Sequence, residues 1–593
     1  MPLSGPYAPA PRPNPRGGRR EALAMLKSGR LKEARKLYRQ LLSGAPQDPE
    51  IHHYLGIISL QTGRPAEAVK QIRKAVALKP DYASAHNNLG QALDAAGRPG
   101  DAEGHYRRAL ELDSGFFEAH NNLGNALLKL DKTTEAVGHY RAALNIRPDY
   151  AEALFNLGTV LRGIDEPEEA LACFERAAAL KPIPEAFANV AALHERAGRL
   201  EAAKTALEKA LGLNPNLADA RLTLAKALIQ EKNWPAARRE LSALLKSHGK
   251  TRNRDLRIVV SAAAKELGKI DEREKKFESA MKHFAWANRV QAENHPGLSG
   301  MAASFFKDVD ALINYFRNMP EAAADPTPAP GSGDRPDPVF MVGVPRSGTT
   351  LLLKILSTRP DVEIIDEKPI LSFVIKKMEA LGFPYPTGLD RLTAEDIAVL
   401  RDEYWRRADV YLPEGRNRSV VVDKDPPNLI HLGLVSKLFP GARVLVSLRD
   451  PRDVCFSCFA NIFLPTPLLA NFNTFKGTVT AYAAMMDLWQ VYRRVLPLPQ
   501  HIVRYETLVL EMEKETKEIA SFLGLEWLPA MLDYYRPEVG RMVNTPSYNQ
   551  VNQKPYTSSM GRWLPFRDHL QDGLPILAPY LEAFGYEQPT APY

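Results

Sequence analysis

The sequence predicts two fold classes in one multidomain chain: an all-α solenoid of helix pairs, then an α/β domain built on a parallel sheet. Three observations predict this. Residues recur at a fixed step through the first 250 or so positions, a Pro/Gly/Ala/Asp-rich stretch interrupts the chain at 321–337, and short β-branched runs alternate with helical segments from Pro338 onward. At 593 residues the chain has room for several domains of ordinary size. Its 45% hydrophobic and 25% charged residues are the balance of a globular protein, not of a disordered one. No run approaches the ~18 consecutive apolar residues of a membrane span. The opening MPLSGPYAPAPRPNPRGGRR has no apolar signal region and reads as a disordered tail over 1–17. The 77 Lys+Arg exceed the 70 Asp+Glu by 7, a surplus too dilute for nucleic acid yet suited to an anionic small molecule. Three cysteines, Cys173, Cys455 and Cys458, make no disulfide framework, so a reducing, cytoplasmic location is expected.

The first element is the repeat. Asn88-Leu89-Gly90 returns as Asn122-Leu123-Gly124 and as Asn156-Leu157-Gly158, each 34 residues on, and Ala34, Ala68, Ala102, Ala136 and Ala170 keep the same step. Prolines close the units at Pro46, Pro80, Pro148, Pro182 and Pro215. A 34-residue period with small residues at helix crossings resembles the tetratricopeptide repeat, in which neither helix of a pair can bury its apolar side alone and stacked pairs bury it together. Roughly seven such units fit between 18 and 251. One register stands out: Asn88, Asn122, Asn156 and Asn189 occupy equivalent first-helix positions, although asparagine is a mediocre helix former. Their amides would form a ladder of donors and acceptors along a groove, able to hold the backbone of an extended peptide. The ladder resembles that of the protein O-GlcNAc transferases; a solvated face inherited by duplication is the alternative reading.

Residues 252–320 lose the period but stay helical in composition, and are expected to cap the solenoid. The stretch 321–337 is a linker. In the remaining domain, 338–593, the runs VFMVGV (339–344), SVVVD (419–423), ARVLVSL (442–448) and HIVRY (501–505) read as buried parallel strands. An open sheet of this kind binds ligands at the carboxyl ends of its strands.

Directly after the first run stands Gly343-Val344-Pro345-Arg346-Ser347-Gly348-Thr349-Thr350, then the helical LLLKILSTRP. A strand, a glycine-bearing loop and a helix start form an anion nest of backbone N–H groups, here spanning Arg346, Ser347, Gly348, Thr349 and Thr350. The spacing is that of the nucleoside-triphosphate loop GxxxxGK[ST], but Thr349 replaces its lysine. That exchange argues against a Mg-nucleotidase and favours a 5′-phosphate bearing one further group, with Arg346 as the cation. Downstream, Arg449 ends a strand and Ser457 lies two turns into the next helix; a cation and a hydroxyl so placed can converge on a second phosphate, a buried salt bridge beside a helical serine being the other reading. Cys455 and Cys458 make a single CxxC in that helix, with no further ligands nearby for zinc, and read as buried thiols.

PRSGTT followed by RDPRDVCFS resembles the two donor motifs of the sulfotransferase family, and the resemblance runs through 338–590. APYLEAFGYEQP (578–589) and the arginine-bearing loop bring it nearest to the protein-tyrosine sulfotransferases. The resemblance implies 3′-phosphoadenosine 5′-phosphosulfate (PAPS) as donor and no metal. It further implies that Tyr505 lies by the adenine, that Lys424 of Lys424-Asp425-Pro426 faces the leaving oxygen beside Arg346, and that Glu367 is the base, with Asp366 its competitor. Thr557-Ser558-Ser559-Met560-Gly561-Arg562-Trp563 resembles the family's C-terminal donor loop; its transition-state serine falls on Ser559, on Ser558, or is replaced by Gly561. Asn461 stands where relatives carry a further arginine. His431, a base by analogy with small-molecule sulfotransferases, sits in the helical run IHLGL.

A phenol with pKa near 10 needs a base at neutral pH, and a departing bridge oxygen needs a cation, so the residue types suit sulfuryl transfer. The leading expectation is a sulfotransferase acting on a tyrosine of a protein recruited by the repeats. A saccharide or lipid-linked sugar acceptor, a scaffold with an inactive domain, and a nucleotide kinase are the alternatives, and a homodimer is left open.

Overall fold

The computed structural model describes residues 15–164, 166–321, 335–412, 420–535 and 557–586. The expected tail as far as residue 14, the expected linker over 322–334, the end of the APYLEAFGYEQP run (587–589) and the side chain of Ser558 lie outside the described residues. The chain divides into two compact units, 1–227 and 228–593.

The first unit is a succession of helix pairs. Its first helix, Pro15–Lys27, begins inside the stretch read as tail, because proline's fixed φ and missing N–H suit a first helical turn. Pairs such as Ala83–Ala95 with Pro99–Leu112, and Phe117–Lys129 with Thr133–Ile146, follow the 34-residue step. The step is a packing rule. The recurring Ala34, Ala68, Ala102, Ala136 and Ala170 are fully buried where the helices cross. A Cβ on Gly90 or Gly124 would lie 2.6 or 2.7 Å from the ring of Tyr106 or Tyr140, so only glycine lets those helices approach.

The second unit opens with helices and ends in the sheet. Over 252–320 the period does fade, but the pairing returns. Helix Arg254–Arg273 packs on Phe277–Asn294 with Gly268, Ala280 and Phe284 at the spacing of Gly90, Ala102 and Tyr106, and a Gly268 Cβ would lie 2.5 Å from Phe284. The first helix has grown from 13 residues to 20, which throws the later positions out of step. This segment buries itself against the α/β part of the same unit: Phe284 meets Phe456 at 6.3 Å and Phe277 meets Phe566 at 5.3 Å between ring centroids. Helix Leu298–Phe316 ends with Phe316 against Tyr492.

Five parallel strands form the sheet, in the order β2-β3-β1-β4-β5: β1 Val339–Gly343, β2 Val362–Asp366, β3 Val420–Lys424, β4 Arg443–Leu448 and β5 Gln500–Arg504. Strand β2 was not expected; its run Val-Glu-Ile-Ile-Asp reads as loop because two of five residues are acidic. At the sheet's edge Glu363 is nonetheless buried. Both faces are covered, which explains the near-continuous apolar runs: Phe340 and Val342 join the core around Tyr404 and Trp489, whereas Val339 and Met341 join that around Leu352 and Leu523. Among the described residues no helix is long and apolar enough to cross a membrane.

Candidate functional site

The carboxyl ends of β1, β3, β2 and β4 deliver the charged groups. After β1 the chain turns through residues 344–348 into helix Thr349–Leu356. Gly348 takes φ +109°, and a Cβ there would lie 2.7 Å from Cδ2 of Tyr505. Arg346 also has positive φ, 75°, a conformation uncommon for a non-glycine residue and one that helps point successive amides into a nest.

Around this loop the expected residues converge. Arg346 Nε donates to Ser457 Oγ at 3.0 Å. Ser457 lies in helix Pro451–Phe459, and Ser447 Oγ, at the end of β4, donates to the Ser347 carbonyl at 3.0 Å. Arg449 Nη1 donates to the Arg346 carbonyl at 3.3 Å, and its guanidinium lies 4.8 Å from the centre of the Tyr505 ring. Its Nη2 donates to the carbonyl of Ser559, which brings the backbone of the 557–563 segment to the same place. Two buried polar atoms here, Arg449 Nε and Ser347 Oγ, have no hydrogen-bond partner among the described residues. The Ser347 amide is spent on the Val344 carbonyl at 3.1 Å, so the expected nest is left to the remaining loop amides; the orphaned Arg449 and Ser347 side-chain donors at this helix start fit phosphate oxygens.

The second cluster stands on the neighbouring strands. Lys424, at the end of β3 and wholly buried, donates to Asp366 Oδ1 at 2.9 Å and to Glu367 Oε1, so both expected carboxylates share one ammonium. The Glu367 amide donates to the Lys424 carbonyl at 2.7 Å, fixing the two residues across β2 and β3. Burial works to lower the Lys424 ammonium, but Asp366 and Glu367 outweigh it and hold it above its ordinary value. Asp425 beside it is pushed up to about 8, first by burial and then by Asp423 and Glu367. The Glu367 side chain is 44% exposed, in contrast to the wholly buried Lys424. His431 is placed otherwise: its Nδ1 stands 3.3 Å from the Tyr385 hydroxyl, and burial drives the ring down to about 4.

Further residues support the site, among them Asp450 and Asp453, which no sequence signal singles out, while Arg452, a candidate partner of Asp453 in the sequence, pairs with Asp450 instead. Asp453 accepts the amides of Gly561 at 2.7 Å and Trp563 at 3.0 Å, while Arg452 forks onto Asp450 and stacks 4.6 Å from the Trp563 ring. Glu506 accepts the Asp450 amide and the Tyr586 hydroxyl, each at 3.0 Å. Cys455 and Cys458 are buried, burial pushes both thiols up, and Cys458 Sγ donates to the Pro345 carbonyl at 3.2 Å. Asn461 donates to the Ser457 carbonyl at 2.7 Å, a structural use of the position. His501, Glu515 and Glu518 bring ligating atoms within 4.8 Å of one another, with His501 near the amino end of β5.

Within the first unit the asparagines form a bonded ladder. Asn122 Nδ2 donates to Asn87 Oδ1 at 3.0 Å, Asn156 Nδ2 to Asn121 Oδ1 at 2.9 Å, and Asn88 Nδ2 to His53 Nε2 at 2.7 Å. Asn189 Oδ1 accepts from Arg162. Asn88, Asn122 and Asn156 each use one N–H to brace the preceding repeat, whereas Asn189 uses its carbonyl oxygen. Asn87 and Asn121, the acceptors, lie one residue before the register the sequence singles out.

Residues 338–529 match the sulfotransferase family, and 19–83, 55–115, 116–182 and 195–256 match tetratricopeptide repeats. An uncharacterized protein of Aquifex aeolicus (strain VF5) is 27% identical over 248 residues, which is 40% of this chain but 32% of that protein. Protein-tyrosine sulfotransferase 1 of Danio rerio is 24% identical over 43% of this chain and 73% of its own length. Protein-tyrosine sulfotransferase 2 of Gallus gallus is 26% identical over 42% of this chain and 69% of its own. The chain thus spans about a third of the first of these relatives and more than two thirds of the other two. The crystal structure of YrrB, a TPR protein with an unusual peptide-binding site, aligns with 30% of this chain and 93% of its own at 24% identity and a TM-score of 0.28. The chain carries N-terminal tetratricopeptide repeats and a sulfotransferase-family domain that resembles the protein-tyrosine sulfotransferases as a distant homologue.

Proposed function

We propose that this protein transfers a sulfuryl group from PAPS to an acceptor hydroxyl, with a tyrosine of a protein held by the repeats as the acceptor. The observation that carries the reading is the pair of clusters at adjoining strand ends: one of amides and arginines with buried donors unspent, the other a lysine shared by two carboxylates. The donor supplies an electrophilic sulfur bonded through oxygen to a 5′-phosphate. The loop amides and Arg346 bind that phosphate, Arg449 and Ser457 bind the 3′-phosphate, and Tyr505 packs against the base. Glu367 takes the acceptor's proton on its carboxylate. Lys424, kept charged by its two carboxylates, supplies the cation where negative charge gathers on the leaving side. Ser559, whose backbone carbonyl accepts from Arg449, is our candidate for the transition-state serine.

The test is incubation of the full chain with radiolabelled PAPS and cell lysate, followed by protease or glycosidase digestion of the product. Label released by protease as sulfotyrosine supports the reading; label released by glycosidase alone replaces tyrosine with a sugar acceptor. Glu367→Ala should lower transfer by at least about 100-fold, the usual reach of general-base catalysis, while leaving the affinity for 3′-phosphoadenosine 5′-phosphate within about threefold. Unchanged transfer in that variant removes Glu367 from the mechanism.

A further inference from the structure

The family match begins at 338 and ends at 529, yet residues from both sides of it meet at the Ser457 helix. Helix Pro451–Phe459 leaves its last carbonyls without helical partners, as every helix does. Lys265, on helix Arg254–Arg273, supplies a donor there: its Nζ reaches the Phe459 carbonyl at 2.6 Å while only 2% of the residue is exposed. Asn288 Nδ2 donates to the same oxygen at 3.1 Å, and the rings of Phe284 and Phe459 lie 5.6 and 5.3 Å from the ammonium. Burying a lysine is costly, and burial drives this ammonium well below its ordinary value. Lys265 precedes Gly268 as Asn87 precedes Gly90 and Asn121 precedes Gly124. The register that braces repeat to repeat in the array is here turned to the α/β domain.

Two turns further along the same helix, Glu272 accepts both Nε and Nη2 of Arg562, at 2.5 and 2.7 Å. Both side chains are more than four-fifths buried, and the guanidinium also lies 5.1 Å from the Phe456 ring. Arg562 is flanked by Gly561 and Trp563, whose amides Asp453 holds, and the nearby Ser559 carbonyl meets Arg449. One helix from outside the family segment thus grips both the end of the Ser457 helix and the chain that closes beside Arg449.

We propose that Lys265 and Glu272 are positioning residues of the nucleotide site, and that the repeat-like pair 254–294 fastens the Ser457 helix and the 557–563 segment around the 3′-phosphate. This rests on the donor reading above. A bidentate, largely desolvated pair has the strength to set such a position, and its loss leaves a charge without its partner.

The test uses the full chain with Glu272→Gln, which keeps volume, Glu272→Ala, and the exchanged pair Glu272→Arg with Arg562→Glu. Amide hydrogen exchange without ligand should quicken at Gly561 and Trp563 in both single variants, with melting temperature and repeat-array exchange retained. Calorimetry with 3′-phosphoadenosine 5′-phosphate should show affinity about tenfold weaker in the single variants and recovered in the exchanged pair. Lys265→Met should weaken the same nucleotide and quicken exchange around Phe459. Wild-type affinity in Glu272→Ala, or slow exchange at 561–563 in that variant, overturns the proposal while the donor reading stands. Failure of the wild-type chain to bind the nucleotide overturns the donor reading and this proposal together.

Discussion

Replacing Gly348 by alanine tests the phosphate loop at its tightest point. Gly348 sits at φ +109°, where an L side chain is strained by about 1–2 kcal/mol. The added Cβ would also lie 2.7 Å from Tyr505 Cδ2 and 3.5 Å from Tyr505 Cβ, so the ring must swing away. That ring carries the Arg449 guanidinium at 4.8 Å, a contact worth about 0.5–1 kcal/mol. Together the two effects cost about 1.5–3 kcal/mol, shared between folding and nucleotide binding. If they fall on binding alone, affinity for 3′-phosphoadenosine 5′-phosphate drops about 10- to 150-fold. Calorimetry gives the binding share and urea denaturation the folding share. The same substitution in a Tyr505→Ala background separates the causes, because the clash is gone and only the backbone strain of about 1–2 kcal/mol remains. A Gly348→Ala protein that binds within about threefold of wild type and is equally stable refutes the geometry. A cost undiminished by Tyr505→Ala refutes the ring contact.

Two further outcomes bear on the repeats. Changing Asn88, Asn122 and Asn156 together to alanine should weaken a peptide acceptor by about tenfold or more in KM and leave a glycan acceptor untouched; equal loss for both acceptors would remove the ladder from substrate binding. The array should also lose stability in acid. His53 is nearly buried, accepts the Asn88 amide on Nε2, and is driven by burial from an ordinary value near 6.5 down to about 4. The unfolded chain therefore takes up the proton more readily, and stability present above about pH 6.5 is lost as pH falls toward 4, by about 3 kcal/mol at the lower end. Melting followed by circular dichroism between pH 7 and 4.5 should show the fall, shallower in His53→Asn; a slope unchanged by that substitution assigns the effect elsewhere.

Features written locally along the chain can be read from the residues alone. A helix pair repeats its contacts every 34 residues, so the buried alanines and crossing glycines recur in print, and the strand–loop–helix around Arg346 occupies one short run. Arg449, Ser457 and Lys424 were legible for a related reason: each stands in a short motif at a strand end. The tertiary structure decided the partners. Strand β2 has two acidic residues in five and is a strand only because β3 pairs with it in parallel register, which is also what sets Glu367 against Lys424. Asp453 holds amides more than a hundred residues away, and Glu272 holds Arg562 across nearly three hundred. Lys265 looks in print like any lysine on an Ala-rich helix, yet it is buried against a carbonyl of the Ser457 helix. Periodicity records which face of an element leaves water, because burial of apolar area is non-directional. Which distant group meets that face is a matter of shape and hydrogen-bond direction, and these exist only once the chain has folded.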